Sequence, residues 1–132
     1  MERDMSNYGK KRGKYVLPGT VYMKTIYQIR DYHRLKEKIK DTIDAGPDPG
    51  EVHVSGSRNG SVTERKAMQV YDDGLIVDAI EKALTEIPEE YRKGVWHSVM
   101  YREPYPIDAA RSTYSLHKSR FVYMVARYLG WV

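Results

Sequence analysis

Six glycines and prolines crowd the fifteen residues from Gly46 to Gly60: Gly46, Pro47, Pro49, Gly50, Gly56 and Gly60. A regular element does not run through such a stretch. Proline removes a backbone donor, and glycine gives up more conformational entropy on ordering than any other residue. With Ser55, Ser57, Asn59 and Ser61 interleaved, residues 46–62 read as a loop that separates two folded segments. The chain of 132 residues is long enough for one domain or two small subdomains.

On the N-terminal side, Tyr22, Ile26, Ile29, His33, Ile39 and Ile43 recur at helical spacing among Lys, Arg, Glu and Asp. The pattern predicts one long amphipathic helix over 20–45, capped at Thr20 and stopped by Gly46-Pro47. On the far side, Ser61-Val62-Thr63-Glu64 has capping-box spacing. A stripe of Ala67, Val70, Tyr71, Ile76, Ala79, Ile80, Ala83, Leu84 and Ile87 follows it. Gly74 weakens the middle of that helix by roughly 1 kcal/mol relative to alanine and admits a bend. Pro88 suits the first turn of a further helix, which buries Tyr91, Val95, Trp96, Val99 and Met100 and ends before Pro104.

The last thirty residues predict a short helix from Ile107 to about Thr113 and a turn, with Ser115 as the N-cap of a final helix. In that helix Phe121, Val122, Val125, Ala126 and Leu129 make one apolar stripe, and Gly130 ends it. A short helix, a tight turn and a longer helix with a basic first turn is the layout of a helix-turn-helix, placed here at 106–130. The expected fold class is therefore all-α: a long N-terminal helix plus a C-terminal helical bundle ending in a helix-turn-helix. Its expected parts are a basic flexible arm over 1–19, the helix over 20–45, the loop over 46–62, and a helical DNA-binding domain over 63–132.

Charge narrows the function. The net charge is +4, but residues 1–19 carry +3, residues 63–101 carry −3 and residues 102–132 carry +3. Basic ends around an acidic middle are what a phosphate-binding surface produces, and they are also within the range of an ordinary solvated surface. No run approaches the roughly 18 apolar residues a membrane helix needs, so no membrane association is expected. The polar, basic N-terminus does not have the form of a secretory signal, which leads to a cytoplasmic expectation. The absence of cysteine excludes disulfides, thiol nucleophiles and cysteine-ligated zinc. His33, His53, His97 and His117 lack metal-ligand spacing, and Gly56-Ser57-Arg58-Asn59-Gly60 lacks the Lys-Ser/Thr of a phosphate loop. Asp72-Asp73 and Glu89-Glu90 point in different directions on a helix, so no catalytic pair, cofactor or metal is expected.

The first turn of the second helix of a helix-turn-helix meets base edges. Off the apolar stripe of the final helix lie His117, Lys118, Ser119, Arg120, Tyr123, Met124 and Arg127. Arginine and lysine donate to guanine, and serine and histidine to bases or phosphates. His117, Lys118, Ser119, Arg120, Tyr123 and Arg127 are accordingly the candidate DNA-binding residues, with a solvated helix face as the competing reading. Lys10, Lys11, Arg12 and Lys14 in the arm are candidates for sequence-independent phosphate contacts. Most of the tyrosines read as core-edge packing.

Two stretches resemble the C-terminus of the RinA-like phage transcriptional regulators. They are Tyr105-Pro106-Ile107-Asp108-Ala109-Ala110 with Tyr114-Ser115, and Ser119-Arg120-Phe121 leading to Val125-Ala126-Arg127-Tyr128-Leu129-Gly130. The N-terminal helix, the Gly/Ser-rich interruption and the Thr63-Glu64 restart are similar to that family as well, so the resemblance spans most of 20–132. It implies a phage- or prophage-encoded activator of late genes with a sigma-factor region-4-like helix-turn-helix, acting on double-stranded DNA in the bacterial host. Arg111-Ser112-Thr113 within the short first helix departs from the family pattern, as does the small number of basic residues in the second. The expected partners are DNA, RNA polymerase and further copies of the chain: the apolar stripe of helix 20–45, set apart by 46–62, is the expected oligomer interface, with folding back onto the C-terminal bundle as the competing reading. A small terminase-like packaging component and a helical interaction protein that binds no DNA are the alternative functions.

Overall fold

The computed structural model describes residues 15–45 and 62–132, and among these all regular structure is helical. There are five helices: α1 Gly19–Arg30, α2 Tyr32–Ala45, α3 Val62–Thr85, α4 Glu89–Tyr101 and α5 Arg111–Tyr128. None is long and apolar enough to cross a membrane. The basic residues Lys10, Lys11, Arg12 and Lys14 and the loop 46–61 lie outside the described residues.

The single helix expected over 20–45 is instead two, broken at Asp31. The apolar pattern changes phase there. Thr25, Ile26 and Ile29 are buried, and a continuous stripe would next bury position 33. His33 is exposed and Leu35 is buried in its place. Aspartate competes well with helical backbone through local side-chain bonds. Asp31 takes Arg34 Nε at 2.7 Å in the first turn of α2, a fork that holds its carboxyl below the usual carboxylate range.

The fold divides into two compact units, one of residues 15–30 with 79–132 and the other of residues 31–78. The division falls at the Asp31 break and within α3, not at the Gly/Pro-rich loop. In the first unit α1, α4 and α5 all contact one another. Their apolar stripes supply Ile26 and Ile29, Val95 and Val99, and Phe121, Val122, Val125 and Ala126. The end of α3 adds buried Ala79, Ile80 and Ala83, and Ile87 follows in the connection. Arg30 donates from Nε to the Val99 carbonyl at 2.8 Å, joining α1 to α4. Arg92 closes the α3–α4 turn by donating to the carbonyls of Ile87 and Thr85, each at 2.7 Å.

The second unit contains α2 and the first part of α3, which runs unbroken through Gly74. Its buried groups are Leu35, Val77 and one carboxylate, Asp73. Gln69 Nε2 donates to Asp73 Oδ1 at 3.0 Å, and Lys38 Nζ lies 3.4 Å from Oδ2. A buried carboxylate needs such partners, because an unpaired one costs several kcal/mol, on the order of the whole stability of a small unit.

Candidate nucleic-acid interface

The short helix expected over 107–113 does not form. The chain leaves α4 at Arg102, a non-glycine residue in the left-handed region (φ 58) whose N–H bonds the Ser98 carbonyl at 3.0 Å. Pro104 and Pro106 then push Glu103 and Tyr105 away from helical angles and remove two donors, so residues 102–106 carry no helix. A turn at Ile107–Asp108 leads to Ala110, and α5 runs from Arg111 straight through Ser115, the expected cap. The connection from α4 to α5 is thus nine residues, 102–110, where a helix-turn-helix of the expected kind has three or four.

Tertiary contacts hold that connection in place. The Tyr105 ring stacks on Tyr114 at 5.3 Å, and the Tyr114 hydroxyl donates to Asp108 Oδ1 at 2.6 Å. Tyr91 of α4 meets the same Tyr114 ring edge-on at 5.3 Å. The Tyr114 ring is buried while its hydroxyl reaches Asp108, and this bond raises the phenol to about 12. Gly94 permits the approach. A Cβ there would lie 2.5 Å from Tyr114 Cε1 and 2.8 Å from Pro106 Cδ. Helical periodicity places Tyr91 on a buried stripe and leaves Tyr105 and Tyr114 at the core edge, and it does not reveal that the three rings meet; the Pro104–Pro106 alternation is the visible trace of that cluster in the sequence.

The far end of α5 closes as expected of Gly130, which adopts φ 78. Gly130 N–H bonds the Arg127 carbonyl at 3.0 Å and Trp131 N–H the Ala126 carbonyl at 2.8 Å, a Schellman ending. Lys24 of α1 sits 3.9 Å above the Trp131 ring. Tyr128 donates to the Glu86 carboxylate, with Lys82 over its ring at 4.3 Å.

Between these ends α5 has an unusual charge pattern: four cations (Arg111, Lys118, Arg120 and Arg127), His117, and no acidic residue. Helix geometry sorts them onto two faces. Arg120, Tyr123 and Arg127 follow one another at steps of three and four and share a face, to which exposed Leu116 also belongs. Arg111 and Lys118, seven apart, share another, and both line a groove with the 103–109 segment. Lys118 and Arg120, expected from the sequence to face one groove as a pair, are about 200° apart around the axis and do not act on one surface together.

The remaining candidates are placed unequally. His117 is half-buried and stacks on Tyr91 at 4.7 Å, and its buried Nδ1 has no hydrogen-bond partner. Burial first, and the charge of Arg120 second, lower its pKa and favour the neutral ring. That ring is a packing element of the α4–α5 contact. Lys118 is half-buried, its pKa lowered by burial and then by Arg30. Ser119, Arg120 and Tyr123 are half-buried, Tyr123 meeting Tyr15 edge-on at 5.7 Å, and Arg127 is exposed. Neither Arg120 nor Arg127 has a carboxylate partner among the described residues. Over the first unit as a whole ten basic side chains face six acidic ones, a surplus of four. Among the described residues no cluster of three or more potential ligands is arranged to hold a metal.

Comparisons with protein families, with curated proteins and with solved structures give no match to this chain.

Proposed function

We propose that the chain binds double-stranded DNA through the Arg120–Tyr123–Arg127 face of α5. The observation that carries this reading is a helix of 18 residues with four cations and no acid, two of those cations sharing a face with a tyrosine and lacking any carboxylate partner among the described residues. Guanidinium groups that fold without an internal anion keep their forks available for phosphate or guanine edges. Arg120 and Arg127 are two turns apart, about 10 Å along the axis, so one helix face reaches successive points on a groove wall. Ser119 and the hydroxyl of Tyr123 are suited to phosphate contacts beside them.

This is a recognition helix on a helical pair with an extended connection, in place of the compact helix-turn-helix expected from the sequence. The resemblance to RinA-like regulators extends the proposal to transcriptional control in a phage or prophage, with RNA polymerase as a further partner. Self-association belongs to it too, because a single helix reads only a short half-site. The experiment is an anisotropy titration of duplex DNA with the full chain and with an Arg120→Ala, Arg127→Ala variant. The double change is expected to cost about 1–3 kcal/mol per base-reading side chain and to reduce the salt slope by about one for each phosphate no longer neutralised. Unchanged affinity and slope, with native circular dichroism, overturn the assignment.

A further inference from the structure

The other cationic face of α5 looks onto a different feature. Glu103, Pro104, Pro106 and Ile107 of the connection, with Arg111 and Lys118 of α5, line a groove of about 600 Å³, within the range of specific small-ligand and side-chain pockets. Its walls are mostly aliphatic. Ile107 is fully exposed at 101%, an uncommon position for a branched apolar residue and one held there by the turn that Tyr114 fastens to Asp108. Arg111 and Lys118 have no acidic partner among the described residues, although Lys118 is half-buried. Half-burying an ammonium without an anion costs free energy that an anionic occupant returns. The one acid of the groove, Glu103, is engaged by His97 Nδ1 at 3.1 Å.

We propose that this groove docks an extended acidic peptide of a protein partner, with aliphatic side chains seated on Pro104, Pro106 and Ile107 and carboxylates on Arg111 and Lys118. The spacing fixes the peptide. Seven helical residues span about 10 Å, and in an extended strand at about 3.3 Å per residue that matches acidic residues three positions apart. A nucleic-acid strand fits less well: the groove offers two cations to a run of phosphates, and its aliphatic walls offer little to a base beyond the Tyr105 ring, one face of which is already stacked on Tyr114. The site goes beyond the DNA-binding reading and lies on a different face of the same helix.

The test titrates the isotopically labelled full chain with a capped tetrapeptide, two aspartates flanking two leucines, and follows amide resonances by NMR. Saturable shifts centred on Ile107, Arg111 and Lys118 are expected. Ile107→Ser and Arg111→Gln are each expected to weaken the peptide about tenfold, a change of about 1.4 kcal/mol. Ile107→Ser leaves DNA affinity unchanged, because Ile107 touches neither the core nor the Arg120–Arg127 face, so failure here and failure of the DNA reading are separable. Equal binding of the asparagine version of the peptide overturns the proposal. So does absence of shifts up to the solubility limit, or a response of the same resonances to inorganic phosphate at lower concentration than to the peptide.

Discussion

The two units of this chain are both helical, yet they are held by different means. Among the described residues, only Leu35 and Val77 of the fifteen buried apolar side chains belong to residues 31–78; the rest lie in 15–30 and 79–132. The second unit instead leaves Ile43, Val62, Met68, Tyr71 and Leu75 exposed and buries a carboxylate. Apolar burial contributes roughly 25 cal/mol per Å², so the first unit carries most of the hydrophobic stabilisation. Helical periodicity alone does not reveal this. Tyr71 and Ile80 sit in the same apolar pattern of one helix, and the first is 66% exposed while the second is fully buried.

Four substitutions break or sharpen that contrast. The largest effect is expected from Phe121→Ala, which empties the centre of the first unit and costs about 3–5 kcal/mol. Denaturant unfolding followed by helical circular dichroism measures it; a loss under about 1 kcal/mol, which would mean a site that collapses freely, contradicts the assignment of the core. Next comes Gly94→Ala. Alanine gains roughly 1 kcal/mol of helix propensity, but the new methyl meets Tyr114 and Pro106 well inside contact distance, and such overpacking costs about 1–3 kcal/mol. The Tyr114 ring is pinned by Tyr105 and Tyr91 and has nowhere to move, so the clash wins and the melting temperature falls.

Tyr114→Phe isolates the strap across the start of α5 and is expected to cost about 1 kcal/mol near neutral pH. Its pH dependence has a definite sign. The folded phenol is raised to about 12 from 10, so the folded state holds that proton more tightly than the unfolded chain does. The stabilisation is complete below pH 10 and is lost as the pH rises from 10 through 12. The stability difference between wild type and variant therefore shrinks over that window, and a constant difference argues against the Asp108 bond. The smallest effect belongs to the second unit. Gly74 is also a mid-helix glycine, but nothing lies within 4 Å of a Cβ there, so Gly74→Ala stabilises by about 0.5–1 kcal/mol. Two identical substitutions in helices, opposite in sign, are the sharpest form of the comparison.

What is legible in the sequence follows the range of the forces involved. The helical class, the restart near Val62, the helix after Pro88 and the Phe121–Ala126 stripe come from local periodicity and punctuation, and the structure has them. The break at Asp31 is hidden because Ile29, His33, Ile39 and Ile43 sit at tolerable helical spacing; only burial distinguishes Leu35 from His33. The start of a short helix at Ile107 is misread from the sequence because the conformation of the 102–110 connection is set by Tyr114, Gly94 and Asp108, through partners brought in from both neighbouring helices. For the candidate site, the cationic and acid-free character of α5 is visible. Its division into two faces is less so, though the positions 111, 118, 120 and 127 contain it. His117 has the chemistry of a DNA reader on paper, and a sequence does not show the Tyr91 ring beneath it.

The first unit is discontinuous along the chain, and this has a consequence during synthesis. Helix α1 packs chiefly on α4 and α5, some seventy to one hundred residues later. A helix of 12 residues is marginal in water by itself. At about 5–20 residues per second, the ribosome exposes α1 for roughly 5–20 s before α5 has followed it, with Ile26 and Ile29 uncovered all that time. Of the described helices α5 comes last in the chain and completes this core, so the unit assembles only after it, closing a long loop at the rate such non-local contacts allow. On stalled nascent chains the α1 segment is therefore expected to stay protease-sensitive until residues through Tyr128 have left the ribosome, and to gain protection of Ile26 and Ile29 only then.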